Sequence, residues 1–195
     1  MLPTHILLAF LWINYCVLHS VLASLWVKRA AQKWLGNKFR HYRLFYTVFA
    51  ALSLLAIVFY QLRIDSKALL AVSVLTQMAG LILGLSGLGI MLVCIKKYFV
   101  SLSGIKSLVE EKPSTELMIA GIHRYTRHPL YLGTFLAIWG AWFLFPTLSL
   151  LISNVVITLY TLYAIQLEEA KLVAEFGDQY RKYQQSVPKL IPRFR

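Results

Sequence analysis

The sequence predicts an all-α protein integral to a membrane, with about five transmembrane helices. Three observations predict it. The 195-residue chain is 58% hydrophobic and only 14% charged, where soluble domains carry about 25% charged residues. Its charges are gathered into clusters between long uncharged runs, the pattern of a chain whose charge is confined to the ends of membrane spans. The clusters are also unequal: 18 of the 20 Lys and Arg residues fall in only three of them, a bias of the kind that sets orientation in a bilayer. Consecutive helices in one bilayer pack as one bundle, so residues 1–195 are expected to form a single domain.

The first span is expected over residues 5–27, enough for the roughly 20 residues that cross a hydrocarbon core, with Thr4 placed to cap it. The neutral start Met1-Leu2-Pro3-Thr4 and the length of the run that follows point to a retained span rather than a cleaved signal. The second span, 44–62, contains no charged residue. The third, 68–95, carries Gly80, Gly84, Gly87 and Gly89, small residues at near-helical spacing that would let a neighbouring helix approach closely. It is longer than one crossing requires, so tilt or a helical extension is expected. The fourth and fifth spans, 130–145 and 147–167, are separated only by Pro146, a breaker that predicts a tight helical hairpin.

The basic clusters lie in the first loop (Lys28 to Arg43), the third loop (Lys96 to Arg127) and the C-terminal segment (Lys171 to Arg195). With an odd number of spans, this places the N-terminus outside and the C-terminus in the cytoplasm. The net charge of +12 is then mostly topology, helped by attraction to anionic headgroups. No nucleic-acid motif accompanies it, so no nucleic-acid partner is expected. Cys16 and Cys94 lie inside apolar runs without metal-ligand or CxxC spacing, so small buried residues are expected there, and no disulfide or metal site. Trp12, Trp26, Trp34, Trp139 and Trp142 read as interfacial anchors or core.

Residues 96–129 make a cytoplasmic loop well above the usual connection length. Apolar residues run through it (Leu102, Ile105, Leu108, Leu117, Ile119, Ile122), so it is expected to pack on the membrane face. Beyond the fifth span the chain continues in a helical pattern from Glu168 to Phe176, and Gly177 is placed to stop it.

Two clusters carry chemical potential. Arg127-His128-Pro129-Leu130-Tyr131 stands at the cytoplasmic start of the fourth span. Pro129 suits the first helical position, the open amides of that turn favour an anion, and Arg127 adds a planar two-pronged donor. The plainer reading makes Arg127 and His128 headgroup anchors. Glu168-Glu169 ends the fifth span, opposed by the helix macrodipole unless a cation lies near. That cation is either a ligand's or an Arg or Lys of the long loop. Asn14 and His19 lie in the first span, where polar groups serve either packing or function. P-loop, GxGxxG, HExxH and GxSxG motifs are all absent.

From Leu117 to Pro192 the chain resembles the isoprenylcysteine carboxyl methyltransferase and phospholipid methyltransferase family. The resemblance is carried by Gly121-Ile122, Arg127-His128-Pro129-Leu130-Tyr131-Leu132-Gly133, Glu168-Glu169, Leu172, Phe176-Gly177, Tyr180, Tyr183, Val187-Pro188 and Pro192. The front half is similar, more weakly, to bacterial NnrU-like and methanethiol S-methyltransferase-like proteins. There the matching residues are Leu18-His19-Ser20, Tyr42-Arg43-Leu44-Phe45-Tyr46 and Tyr98.

The resemblance implies an S-adenosylmethionine-dependent methyltransferase of a bacterial inner membrane. Its cofactor pocket would lie within about 96–195, covered by the cytoplasmic loop and C-terminal helix, and its small apolar or lipid-like acceptor would come from the bilayer. Carried over by position, Leu117, Met118, Gly121, Arg127, His128, Tyr131, Glu168 and Glu169 would bind the cofactor. Glu168 would face its ammonium or sulfonium, with Glu169 second, and Arg127 would hold its carboxylate or the loop. His128, His123 and Glu168 are the catalytic candidates, either histidine serving as base, and His19 and Tyr46 the substrate candidates. Two departures stand out. Members that methylate a prenylcysteine carboxylate carry an Arg shortly before the Glu pair, where this chain reads Tyr163-Ala164-Ile165-Gln166; and His123 stands where the family often has Tyr. A small thiol is therefore the first acceptor expected, ahead of a prenylcysteine-type acid or a phospholipid amine. The readings from other classes are an NADPH-dependent reductase of the sterol type and a non-enzymatic transporter or assembly protein.

Overall fold

A computed structural model describes residues 2–102, 117 and 119–193. The described residues form seven α-helices: α1 (Leu2–Ala23), α2 (Leu25–Leu35), α3 (Tyr42–Arg63), α4 (Val74–Leu102), α5 (Pro129–Leu144), α6 (Leu148–Phe176) and α7 (Asp178–Ser186). Short 3-10 turns occupy Gly36–His41 and Gly121–Arg124. Among the described residues no strand forms beyond an isolated bridge between Ala68 and Thr147. Four helices are long and apolar enough to cross a membrane: α1, α3, α4 and α6. The fourth expected span is the shorter apolar helix α5, with 16 residues, roughly 24 Å of rise. The chain is an integral membrane protein of all-α class.

Several boundaries differ from the sequence expectation, each for a local reason. The first apolar run does not continue to residue 27. It stops at Ala23 because Ser24 takes an extended backbone, and both its amide and its hydroxyl bond back to the Val21 carbonyl, at 3.1 and 2.6 Å. A separate helix, α2, then begins. The third run starts at Val74, not residue 68. Ser73 and Thr76 cap that start reciprocally: the Thr76 amide donates to the Ser73 hydroxyl at 3.2 Å and the Ser73 amide to the Thr76 hydroxyl at 2.9 Å. Upstream, the Leu69 amide is taken by the Pro146 carbonyl at 2.7 Å. At its other end α4 runs on to Leu102, so the loop expected from residue 96 begins later. Gly177, at φ +55°, stops α6 as expected.

The chain packs as two compact units. The first comprises Met1–Ala71, Tyr98–Pro113 and Pro146–Ile157. Its core is Leu8, Trp12 and Ile57, with Leu54, Val156 and Ile157 against them. Polar ties join its helices: the Trp12 indole donates to Gln61 Oε1 at 3.0 Å, and the Tyr42 hydroxyl to the Leu22 carbonyl at 2.8 Å. The Ser149 amide donates to the Ser66 hydroxyl at 3.0 Å.

The second unit comprises Val72–Lys97, Ser114–Phe145 and Thr158–Arg195. Here α4 and α5 meet through glycine. A Cβ added to Gly80 would lie 2.9 Å from the Gly140 carbonyl oxygen, and one added to Gly87 would lie 2.5 Å from that of Gly133. Only hydrogen fits at such a crossing. A Cβ on Gly84 or Gly89 would meet nothing within 4 Å, but one on Gly140 would run into the Gly84 backbone, 2.7 Å from its Cα, so Gly80, Gly84 and Gly87 all lie along the close approach and Gly89 does not. The α5–α6 pair is tied by the Trp139 indole donating to the Thr158 hydroxyl at 3.1 Å.

Candidate active site

The start of α5 is built by its sequence. Pro129 fills the first helical position, where no amide hydrogen is needed. The residues before it are held by a backbone pairing that a linear reading does not reveal. The Arg127 amide donates to the Pro188 carbonyl at 3.0 Å and the His128 amide to the Lys189 carbonyl at 3.1 Å. The Thr126 hydroxyl adds a bond to the same Lys189 carbonyl at 3.1 Å. The segment after α7 is thereby stitched to the entrance of α5. Beneath it Tyr180, Tyr183 and Val187 form a buried cluster with Leu117, Leu172 and Phe176. The i, i+3, i+7 spacing puts the first three on one face of α7 and its exit.

The acidic end of α6 meets this entrance. At 29 residues α6 is roughly 43 Å long, more than the roughly 30 Å of a hydrocarbon core, so its charged end from Glu168 onward projects past the membrane. Arg127 grips Glu169 with two prongs: Nε and Nη2 both donate to Oε1, at 2.8 and 2.7 Å. Its remaining arm, Nη1, donates to the carbonyls of Gln184, at 2.8 Å, and Val187. The His128 Nε2 lies 3.2 Å from the same Glu169 oxygen, while Gln184 Nε2 and Lys189 Nζ face the other, at 3.4 and 3.6 Å. Glu169 is buried. Burial pushes its carboxyl up, but hydrogen bonds from Arg127 and His128, with the charges of Arg127 and Lys189, outweigh burial and hold it below the ordinary glutamate value. Burial, with the charge of Glu169, pushes the Tyr180 phenol up to about 12, so it stays neutral.

Glu168 is placed differently. Its side chain is 45% exposed, and its Oε2 accepts the Tyr131 hydroxyl at 3.0 Å. The Tyr131 ring stacks on His128 with centroids 5.7 Å apart. The two neighbouring carboxylates thus divide: one is spent on internal cations, the other is presented outward.

Hydrogen-bond partners also set the histidine tautomers. A carbonyl only accepts, so His123 Nδ1, 3.1 Å from the Arg127 carbonyl, carries its proton, placing a lone pair on Nε2. A carboxylate only accepts, so His128 Nε2 carries its proton and, in the neutral ring, Nδ1 holds the lone pair. The His123 carbonyl accepts the Tyr183 hydroxyl at 2.6 Å.

Arg127, His128, Tyr131, Glu168 and Glu169 are therefore one cluster, with His123 one bond away. Gly121 opens the preceding 3-10 turn at φ +61°, a conformation suited to glycine. Leu117 packs under α7. Met118 lies outside the described residues. His19 and Tyr46 belong to the first unit, where they line a largely apolar cavity of about 280 Å³ with Tyr15, Leu18, Phe49 and Ala50. Of the two roles expected for Arg127, its guanidinium is committed to Glu169 and the C-terminal carbonyls.

Sequence reasoning missed Gln184 and Lys189 as members of the cluster. Lys189 registered only as one more basic residue, and Gln184 offered no signal. A cleft of about 530 Å³ adjoins the cluster, lined by Arg124, Tyr125, Gln184, Pro188, Lys189 and Arg193 among others, with no carboxylate among the described residues of its wall.

The profile of the phospholipid methyltransferase family matches residues 68–179 of this chain, the stretch that holds α4, α5, α6 and every residue of the cluster except those after Asp178. Among curated proteins, the chain is 45% identical over 85 residues to the methanethiol S-methyltransferase of Crocosphaera subtropica, covering 43% of this chain and 32% of that protein. It is 32% identical over 126 residues to that of a Pseudomonas species, covering 58% and 46%. It is 39% identical over 77 residues to the protein-S-isoprenylcysteine O-methyltransferase of Schizosaccharomyces pombe, covering 39% and 33%. The matches thus span between about a third and a half of these relatives' length. No solved structure matches the chain. With a family profile covering more than half of its length, this chain belongs to the phospholipid methyltransferase family.

Proposed function

We propose that this protein is an S-adenosylmethionine-dependent methyltransferase whose acceptor is a small thiol or a comparably small apolar nucleophile reached from the bilayer. One observation carries the reading. Where the start of α5 meets the acidic end of α6 a carboxylate, Glu168, is held outward by the Tyr131 hydroxyl, while its neighbour Glu169 is fully engaged by Arg127. A partly exposed anion beside a neutralised one is a site for a cation. The donor set fits S-adenosylmethionine: Glu168 suits its ammonium and sulfonium, and Arg124, Lys189 and Arg193 in the adjoining cleft suit its carboxylate.

Bound there, the cofactor supplies a methyl group already attached to a good leaving group. The residues have only to position, exclude water and receive a proton. Tyr131 fixes the Glu168 carboxylate. Arg127, through Glu169 and the two C-terminal carbonyls, clamps the segment after α7 over the α5 entrance. His123 Nε2 or His128 Nδ1 takes the proton that a thiol sheds. Stacking against Tyr131 and the bond to Glu169 hold the His128 ring in one orientation.

The thiol preference rests on the relatives named methanethiol S-methyltransferase and on the turn of α6 before the Glu pair. That turn, Tyr163-Ala164-Ile165-Gln166, holds no cation to bind a substrate carboxylate. A prenylcysteine-type acceptor is the second reading, favoured by the S. pombe relative. The orientation we propose, with the N-terminus outside and the C-terminus in the cytoplasm of an inner membrane, follows the basic-residue bias.

Calorimetric titration with S-adenosylmethionine and radiolabelled methyl transfer to thiols, prenylcysteine analogues and phospholipids test this together. Wild type is expected to bind, Glu168→Gln to bind at least about tenfold more weakly, since a charge-assisted contact is worth about 1.5–3 kcal/mol, and thiols to be labelled first. Wild type that fails to bind, or Glu168→Gln that binds equally well, refutes the assignment. Protection by NADPH instead would make the protein a reductase, and substrate flux in proteoliposomes a transporter.

A further inference from the structure

No residue of the helix α2 belongs to that cluster, and its construction is unlike the spans around it. It follows the membrane-crossing α1 after the single residue Ser24, so it starts at the bilayer surface. At 3.6 residues per turn, Trp26, Val27, Ala30, Ala31, Trp34 and Leu35 cover one arc of roughly 180°, while Lys28, Arg29, Gln32 and Lys33 cover the other. Leu25, in the first turn, is the exception. The six apolar residues line a shallow groove together, no residue of α2 is buried, and Trp26 and Trp34 are 67% and 92% exposed. Lys38 and Arg40 follow in the adjoining 3-10 turn. The chain has no acidic residue before Asp65, so α2 and its flanks carry positive charge only.

We propose that α2 is an in-plane interfacial helix that binds the surface of an anionic phospholipid bilayer. Its tryptophan face enters the headgroup region, and Lys28, Arg29, Lys33, Lys38 and Arg40 engage lipid phosphates. Three features fit that partner over a protein. Charge of one sign complements an anionic surface. Paired tryptophans favour the level where an apolar ring meets polar headgroups. Continuity with α1 holds the helix at that surface, so that 11 residues, too few to bind strongly alone, act at high effective concentration. The proposal does not depend on which side of the membrane α2 faces, nor on the methyltransferase reading.

The test uses the full chain in phosphatidylcholine bilayers containing phosphatidylglycerol. Spin-labelled lipids report which headgroup is held at the protein boundary, and tryptophan quenching reports depth. Each basic contact with an anionic surface is worth about a fivefold gain in association, weakened by salt. Wild type should prefer phosphatidylglycerol by about that factor at low salt, and Lys28→Gln/Arg29→Gln/Lys33→Gln should lose most of the preference. Arg181→Gln/Lys182→Gln should keep it. The emission lost in Trp26→Phe/Trp34→Phe should be the part quenched by lipids brominated near the headgroup end of the chain. Headgroup preference unchanged by the triple variant overturns the proposal. So does quenching of these tryptophans by aqueous iodide instead of bromolipid, which places α2 in water. Protection from both quenchers also overturns it, because a protein partner or a second copy then covers the face.

Discussion

Removing the Arg127 guanidinium, as in Arg127→Met, should destabilise the second unit more than any other single change in the cluster. Both partners are shielded, with side-chain exposures of 7% for Arg127 and 11% for Glu169. The substitution deletes both prongs to Glu169 and leaves the Gln184 and Val187 carbonyls without their donor. Breaking one side of a buried ion pair typically costs about 3–5 kcal/mol, because the surviving charge is stranded. At about 2–4 °C per kcal/mol for a chain of this length, the melting midpoint should fall by roughly 6–20 °C. A thiol-reactive dye can read the transition, since Cys94 is buried within the second unit, and Cys16→Ala removes the signal of the first. Arg127→Lys, which keeps the charge but loses the planar fork, should fall between. The decisive comparison is a double-mutant cycle. Arg127→Met/Glu169→Gln strands no charge, so it should be less destabilised than the sum of the single variants by at least about 1 kcal/mol. Additive losses, or an Arg127→Met midpoint within about 2 °C of wild type, would refute the view that this pair clamps the C-terminal segment onto α5.

Two further outcomes follow from the same packing. Gly140→Ala should cost about 1–3 kcal/mol by overpacking, because its Cβ would sit 2.8 Å from the Gly80 carbonyl oxygen, whereas Gly89→Ala, with open space around it, should be neutral or slightly stabilising; equal midpoints for the two would contradict the glycine crossing. The folded-state pKa of Glu169 is depressed, so its contribution to stability is complete above the ordinary glutamate range and is lost as pH falls through the lowered value. Melting midpoints of wild type should drop along that acid limb, and Glu169→Gln should flatten it.

The two halves of the candidate site were legible in the sequence to different depths. Arg127-His128-Pro129 and Glu168-Glu169 could each be singled out locally, the first by helix-start chemistry and the second because paired acids oppose the macrodipole. What each does could not. Adjacent glutamates on one helix point about 100° apart, and only the position of Arg127 determines that Glu169 is neutralised while Glu168 faces outward. Likewise, nothing in the spacing of Gln184 and Lys189 relates them to residue 127. They arrive there because Tyr180, Tyr183 and Val187 bury a face of α7 and carry the following strand of backbone to the amides of Arg127 and His128.

By itself the sequence determined the membrane class, the apolar segments, the Pro129 start, the Pro146 break and the Gly177 stop. These are properties of contiguous residues: hydropathy over a window, a missing amide hydrogen, a permitted positive φ. Tertiary structure alone decided the break at Ser24 that frees α2 from the first span, the placing of Gly80, Gly84 and Gly87 but not Gly89 at the crossing with α5, and the division of labour between Glu168 and Glu169. The physical reason is common to all three. Each depends on which groups lie within a few ångströms through space, and a hydrogen bond or a steric contact is blind to separation along the chain.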